Sequence, residues 1–224
     1  VIQQTTPGKT ARRAFRIVAV ATLIAAFGQI TLGGVVRVSG SGLGCPDWPL
    51  CHGRIIPPFQ IDTMIEYAHR LSGSSLGILV IATTVLAWLF YRSSPWVMVS
   101  SVVALVMVVA AGILGGITVL TELAWWVRLI HLGIAEIVVS ALVFALVAGW
   151  NASDEASPGK STFGETALNR LILVTVAGTF VLLLSGSYIV GAGASSACGT
   201  WPLCHGSLFP ERAAQAIHMG HRFF

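Results

Sequence analysis

Cysteine, histidine and arginine recur in this chain in a fixed order. The segment Cys45-Pro-Asp-Trp-Pro-Leu-Cys51-His52-Gly53 returns as Cys198-Gly-Thr-Trp-Pro-Leu-Cys204-His205-Gly206, and all four cysteines lie in these two copies. Glu66-Tyr-Ala-His69-Arg70 follows the first copy, and His218-Met-Gly-His221-Arg222 follows the second at almost the same distance. A match of this length, built on Trp and Cys, marks an internal duplication. The partner cysteines have five residues between them, unlike the Cys-x-x-Cys of thiol oxidoreductases or the Cys-x-x-Cys-His of covalent haem attachment. The spacing predicts a disulfide closing each loop, Cys45 to Cys51 and Cys198 to Cys204, either as a staple or as a couple that exchanges electrons. A zinc site on two cysteines and the adjoining histidine lacks a fourth ligand within either loop. The imidazoles of His69, His131 and His221 are iron-ligating groups, and two such rings facing each other between parallel helices form a bis-axial haem site.

The elements that must hold these groups are membrane spans. The chain is 55% hydrophobic and only 10% charged, with a mean hydropathy of +0.82, whereas a soluble domain is about one-quarter charged. Apolar runs long enough to cross a bilayer, roughly 20 residues each, cover Phe15–Val36, Met64–Tyr91, Trp96–Leu120, Trp126–Trp150 and Leu171–Gly191, and a sixth begins near Ala213. Lys9, Arg12, Arg13 and Arg16 precede the first run, Arg92 lies between the second and third, and Lys160 and Arg170 between the fourth and fifth. The positive-inside rule then puts the N-terminus in the cytoplasm and both cysteine loops outside, where disulfides persist. The first span is too long for a signal-peptide core and no small-residue cleavage site follows it. The net charge of +4 is spread over ends and short loops, so it reads as topology and no nucleic-acid partner is expected.

These runs predict an all-α integral membrane protein made of two parallel four-helix bundles related by a pseudo-twofold axis along the membrane normal, the second incomplete here. Residues 1–150 form the N-terminal four-helix half, 151–169 a polar cytoplasmic linker, and 170–224 the start of the C-terminal half. The sequence reads as a fragment of an eight-span protein. His131 lies 62 positions after His69, so the duplication calls for a further histidine about 62 positions after His221.

Each candidate has a plain structural alternative. A membrane histidine also serves as a helix-packing hydrogen bonder, and His218, whose repeat mate is Glu66, stands between a pocket role and packing. Glu66 lies one turn outward of His69 on the same helix face; it is an acid, base or electrostatic stabiliser, or else an interfacial carboxylate paired with Arg70 or Arg128. Arg70 and Arg128 flank the histidines and suit haem propionates, or anchor the helices by snorkelling. Gly33-Gly34, Gly73, Gly77, Gly112, Gly115-Gly116, Gly186 and Gly191 allow close helix packing or a flat tetrapyrrole against bare backbone. The run Ser39-Gly-Ser-Gly-Leu-Gly44 follows an outward-going span and opens no cytoplasmic helix, so it is not a phosphate loop.

The string Gly33-Gly-Val-Val-Arg-Val-Ser-Gly-Ser-Gly-Leu-Gly-Cys45-Pro-Asp-Trp-Pro-Leu-Cys51-His-Gly53, with Glu66-Tyr-Ala-His69-Arg70 after it and His131 in the fourth span, resembles the haem A synthase family, bacterial members included. The resemblance implies an eight-span oxidoreductase that oxidises a methyl substituent of haem O to a formyl group, giving haem A for terminal oxidases. It implies that His69 and His131 ligate the haem of the N-terminal half, the substrate site, with Glu66 beside it. His221 would ligate a haem b cofactor in the C-terminal half, with Arg70, Arg128 and Arg222 as haem-binding groups. Partners would be haem O and haem A, a haem O synthase, the lipid bilayer and an electron acceptor, in the bacterial cytoplasmic membrane. Two other classes use the same features: a non-catalytic dihaem cytochrome, which does not need Glu66, and a quinone-linked thiol oxidase, which needs exchangeable cysteines and no haem.

Overall fold

The structure, a computed structural model, describes residues 8–152 and 167–224. The described residues form α1 (Lys9–Val38), a 3-10 turn (Ser41–Leu43), α2 (Ile61–Phe90), α3 (Pro95–Leu120), α4 (Trp125–Asn151), α5 (Ala167–Gly191) and α6 (Ala213–Phe223). There is no strand among them, only an isolated bridge inside each cysteine loop. Five helices, one for each complete apolar run, are long and apolar enough to cross a membrane, and the fold is that of an all-α membrane protein. At 1.5 Å per residue the 30 residues of α1 and of α2 measure about 45 Å. This exceeds a hydrocarbon core of about 30 Å, so their polar ends extend past it. That is why α1 begins at Lys9, six residues before the apolar run. The linker expected at 151–169 lies largely outside the described residues.

Local chemistry sets the helix ends. α1 stops where Gly40 takes a φ of 75°, a conformation that costs glycine little, and Ser39 Oγ donates back to the Val35 carbonyl. Pro95 opens α3 at its first position, where a missing N–H is harmless. Gln215 Oε1 accepts the N–H groups of Glu211 and Arg212 and so caps α6.

The chain divides into two compact units. One holds α1, α2, α3 and α4 from Ile134 onward; the other holds Trp125–Gly133 of α4 with α5 and α6. The first turns of α4, expected with the N-terminal half, thus cluster with the C-terminal helices. Trp125 packs edge-on against Tyr188 with ring centroids 5.8 Å apart, and Gly133 lies beside Leu184 and Phe180, which a Cβ there would meet at ordinary contact distance.

In the first unit Ala26, Leu76, Val80, Ala104, Val138 and Leu142 form one buried cluster, and Phe15, Ala19, Ala87, Tyr91 and Val97 another. The rings of Phe15 and Tyr91 meet with centroids 4.8 Å apart and planes tilted by 50°, setting the start of α1 against the end of α2, so the two helices are antiparallel. The Thr22 and Thr83 hydroxyls lie 2.9 Å apart and each also reaches a carbonyl of its own helix; with one proton apiece, one donates to its helix carbonyl and accepts from the other, so neither is stranded. Ile17, Ile24, Ile78 and Trp96 stay more than half exposed, the outward apolar face that lipid requires.

Candidate functional site

The cysteine loop of the first unit is folded around its own backbone and pegged to α2. Cys45 is disulfide-bonded to Cys51, and Cys51 and Arg54 exchange backbone hydrogen bonds. His52 and Gly53 have φ of 55° and 68°; their N–H groups both point at the Asp47 carboxylate, at 2.6 and 2.7 Å. The N–H of Gly53, with that of His52, holds the exposed Asp47 carboxyl below its ordinary value of 3.8. Trp48 turns back onto α3, where a Cβ at Gly116 would lie 2.7 Å from its ring.

Glu66 and Arg70 form the peg. Glu66 is 4% exposed; its Oε2 accepts the Cys45 N–H at 2.9 Å and its Oε1 accepts Arg70 Nε at 3.1 Å and Nη2. Arg70 Nη1 donates to the carbonyls of Asp47 and Leu50, and Nη2 to that of Cys45. A guanidinium has five N–H groups, and all five are engaged within the protein. Of the roles expected for Glu66 and Arg70, the geometry realises the mutual ion pair, and it adds a hold on the disulfide loop that the sequence reading did not contain.

His69, half-buried one turn further along α2, stands against bare α1 backbone: a Cβ on Gly33 would come within 3.1 Å of its Cε1. Gln29 of α1 meets the same ring, with Nε2 3.1 Å from His69 Nδ1. Ser72 in turn donates to Gln29 Oε1.

The second unit repeats this plan with different residues. Cys198 is bonded to Cys204, so each cysteine pairs within its own copy as the spacing predicted. His205 and Gly206 again have positive φ, 51° and 82°, and Cys204 and Ser207 exchange the same pair of backbone bonds. Arg222 donates to the carbonyls of Thr200 and Cys198. His218, at the place of Glu66, is 3.0 Å from the Ala194 carbonyl through Nδ1, so it ties the helix to the loop. His221 stands against Gly186, whose Cβ would lie 3.2 Å from its Cε1, and its Nδ1 is 2.7 Å from Ser185 Oγ.

His131 and Arg128 lie on Trp125–Gly133, the stretch of α4 that belongs to the second unit; Glu66, His69 and Arg70 belong to the first. The structure therefore brings together Glu66, Arg70 and the first loop, and separately His221, Arg222 and the second loop. Along their own helices the histidines sit at similar depth. His69 and His221 are each eight residues past the helix start and His131 is six past, or about 12 and 9 Å at 1.5 Å per residue. No group of three metal-ligating side chains occurs among the described residues. Imidazoles presented one per helix suit a haem, whose porphyrin supplies the equatorial ligands and leaves only axial positions to the protein.

The sequence reading missed several polar residues. Gln29, Ser72 and Ser185 are visible only as isolated polar residues in apolar spans, a signal that by itself points to no partner. Asp47 has Thr200 as its repeat mate, so the duplication gives it no emphasis. Glu136 of α4 was also passed over; both its carboxylate oxygens are buried with no hydrogen-bond partner among the described residues.

Comparison with known proteins places this architecture. The model of the COX15-CtaA family, described as cytochrome oxidase assembly protein, matches residues 16–63 and 59–224. The heme A synthase of Bacillus pumilus is 30% identical over 217 residues, covering 93% of this chain and 69% of that protein. Those of Bacillus licheniformis and Geobacillus kaustophilus are 27% and 28% identical, and the chain spans 70% and 67% of their respective lengths. The chain belongs to the COX15-CtaA family.

Proposed function

We propose that this family member is a haem A synthase, a multi-pass oxidoreductase that converts the haem O methyl group to the formyl group of haem A. The name shared by its relatives supports the reaction, and one structural observation supports the site. In each unit a half-buried histidine is backed by a glycine of the preceding span, Gly33 with His69 and Gly186 with His221, and is followed by an arginine that holds a disulfide loop. In this reading residues 1–150 carry the substrate half, and His69 and His131 are the residues that would hold the haem substrate. The stretch 170–224, after a linker over 151–169, begins the cofactor half with His221. Haem b bound there supplies one-electron transfer.

The protein's own contribution is placement. Gly33 lets the His69 ring sit against α1, and the bundle around it keeps water from the substrate. Glu66 and Arg70 together bury no net charge and fix the loop above His69, while the carboxylate of Glu66 is the acid-base or electrostatic group nearest that ring along α2. With Arg70 committed to the first loop and Arg222 to the second, Arg128, one turn outward of His131, is the guanidinium assigned to the propionates. Oxidation of the methyl group hands its electrons to an acceptor. The orientation follows the basic residues, with the N-terminus in the bacterial cytoplasm and the loops outside; haem O synthase is the partner that supplies the substrate.

The test is His69→Ala and His131→Ala in the full-length gene product, expressed with haem O in a host lacking its own enzyme. Both variants are expected to insert and to form no haem A, and normal product from either would reject the site. Extracted pigment separates the other classes, because haem b alone indicates a relay cytochrome and no haem a thiol oxidase.

A further inference from the structure

Lys9, Arg12, Arg13 and Arg16 recur at intervals of three and four residues, so they share one face of α1. The stripe rises about 10 Å along the helix. Lys9 and Arg13 are exposed, and Arg12 and Arg16 half-buried. It occupies the turns of α1 that extend past the hydrocarbon core to the depth of lipid headgroups. In the proposed orientation that is the cytoplasmic surface. Ile17 and Ile24, four and eleven residues after Arg13 and both more than half exposed, continue the same side of α1 into the apolar region.

The end of α4 closes one side of the stripe. Phe15 packs where Gly149 has no side chain, a Cβ there lying 2.5 Å from its ring, and this brings Arg16 to the last turn of α4. Arg16 Nη2 donates to the Trp150 carbonyl at 3.4 Å, and its guanidinium carbon lies 4.7 Å from the Trp150 ring centroid. Its Nε is buried with no hydrogen-bond partner among the described residues. Trp150 is 47% exposed, an indole at the edge of the cations. Arg92 comes to the same end of the unit, because it follows Tyr91, whose ring meets Phe15.

The described part of the chain supplies no anion here. A helix start is the positive end of the macrodipole, yet the first turn of α1 holds no acidic residue and its N-cap, Gly8, makes no side-chain bond. No Asp or Glu occurs in 8–44, 67–121 or 137–152. Phosphate oxygens meet both needs, since they pair with guanidinium and ammonium groups and accept the amides of a helix start.

We propose that the stripe, with Trp150, binds the headgroup of an anionic phospholipid. The phosphate takes the cations of α1, and the acyl chains run down the helix past Ile17 and Ile24. A zwitterionic headgroup is disfavoured, because its own cation meets the stripe. The site is independent of the haem reading.

The experiment places the full-length gene product in nanodiscs of phosphatidylcholine and phosphatidylglycerol, with bromine on the acyl chains of one lipid at a time. Fluorescence lost from Trp150, taken as the parent minus Trp150→Phe, reads which lipid stands beside it. Brominated phosphatidylglycerol is expected to quench it at a lower mole fraction than brominated phosphatidylcholine. Lys9→Gln and Arg13→Gln should each reduce that preference about fivefold, and salt at about 1 M should reduce it in the parent. Equal quenching by the two lipids in the parent, or a preference that both variants leave unchanged, overturns the site. Asp154 and Glu155 follow α4 in the sequence and lie outside the described residues. A double variant Asp154→Asn, Glu155→Gln that gains a preference the parent lacks would assign the stripe to the chain's own acids and overturn the lipid site.

Discussion

Arg70→Met removes the cation from a buried pair and leaves its partner in place. The Glu66 and Arg70 side chains are 5% and 16% exposed, so water does little to screen them, and without Arg70 the carboxylate keeps only the Cys45 N–H. Breaking a buried pair from one side costs about 3–5 kcal/mol, mostly from the charge left behind. The carbonyls of Asp47 and Leu50, at the edge of the exposed loop, turn to water and add little. Thermal unfolding of the detergent-solubilised full-length protein should show this loss, together with faster proteolysis between Cys45 and Phe59. The double variant Arg70→Met, Glu66→Gln removes the stranded charge and should recover about 1–3 kcal/mol of it. An Arg70→Met protein within about 0.5 kcal/mol of the parent, the usual range for a surface change, would refute the peg. A double variant that loses the sum of the two single losses would refute it equally, because independent sites add.

Gly33→Ala places a methyl 3.1 Å from His69 Cε1, whereas Gly34→Ala meets nothing within 4 Å; haem content after purification should fall in the first and hold in the second. Asp47 has a depressed carboxyl, so its hold on the His52 and Gly53 amides is fully present above the ordinary value and is lost as pH falls through the lower folded-state value. Hydrogen exchange at those two amides, corrected for intrinsic rates, should accelerate below about pH 3.8 in the parent and show no such pH step in Asp47→Asn.

Helix number, span limits and disulfide pairing were legible because each depends on a property that composition or duplication displays. Twenty apolar residues have few choices in a bilayer, and a loop copied whole brings its own partner cysteine. The division inside α4 was not legible, since the Trp125 contact with Tyr188 and the Gly133 contact with Leu184 join residues whose pairing no periodicity announces. At the site, duplication pointed to His69 and His221 because the repeat preserves them. It passed over Gln29 and Ser185 because the two halves solve one problem at different positions, and aligning the copies sets each against a leucine. It misdirected attention at 66 and 218 in the opposite way. There the residue types differ, which suggested unequal roles, yet Glu66 accepts an N–H from its loop and His218 meets a loop carbonyl, so both tie helix to loop with the polarity reversed. Residue identity is repeated where a particular atom is required, as for an imidazole nitrogen. Where only a hydrogen bond across a given gap is required, either partner can donate and neighbouring positions can supply it, so the requirement is visible in coordinates and absent from the alignment of the halves.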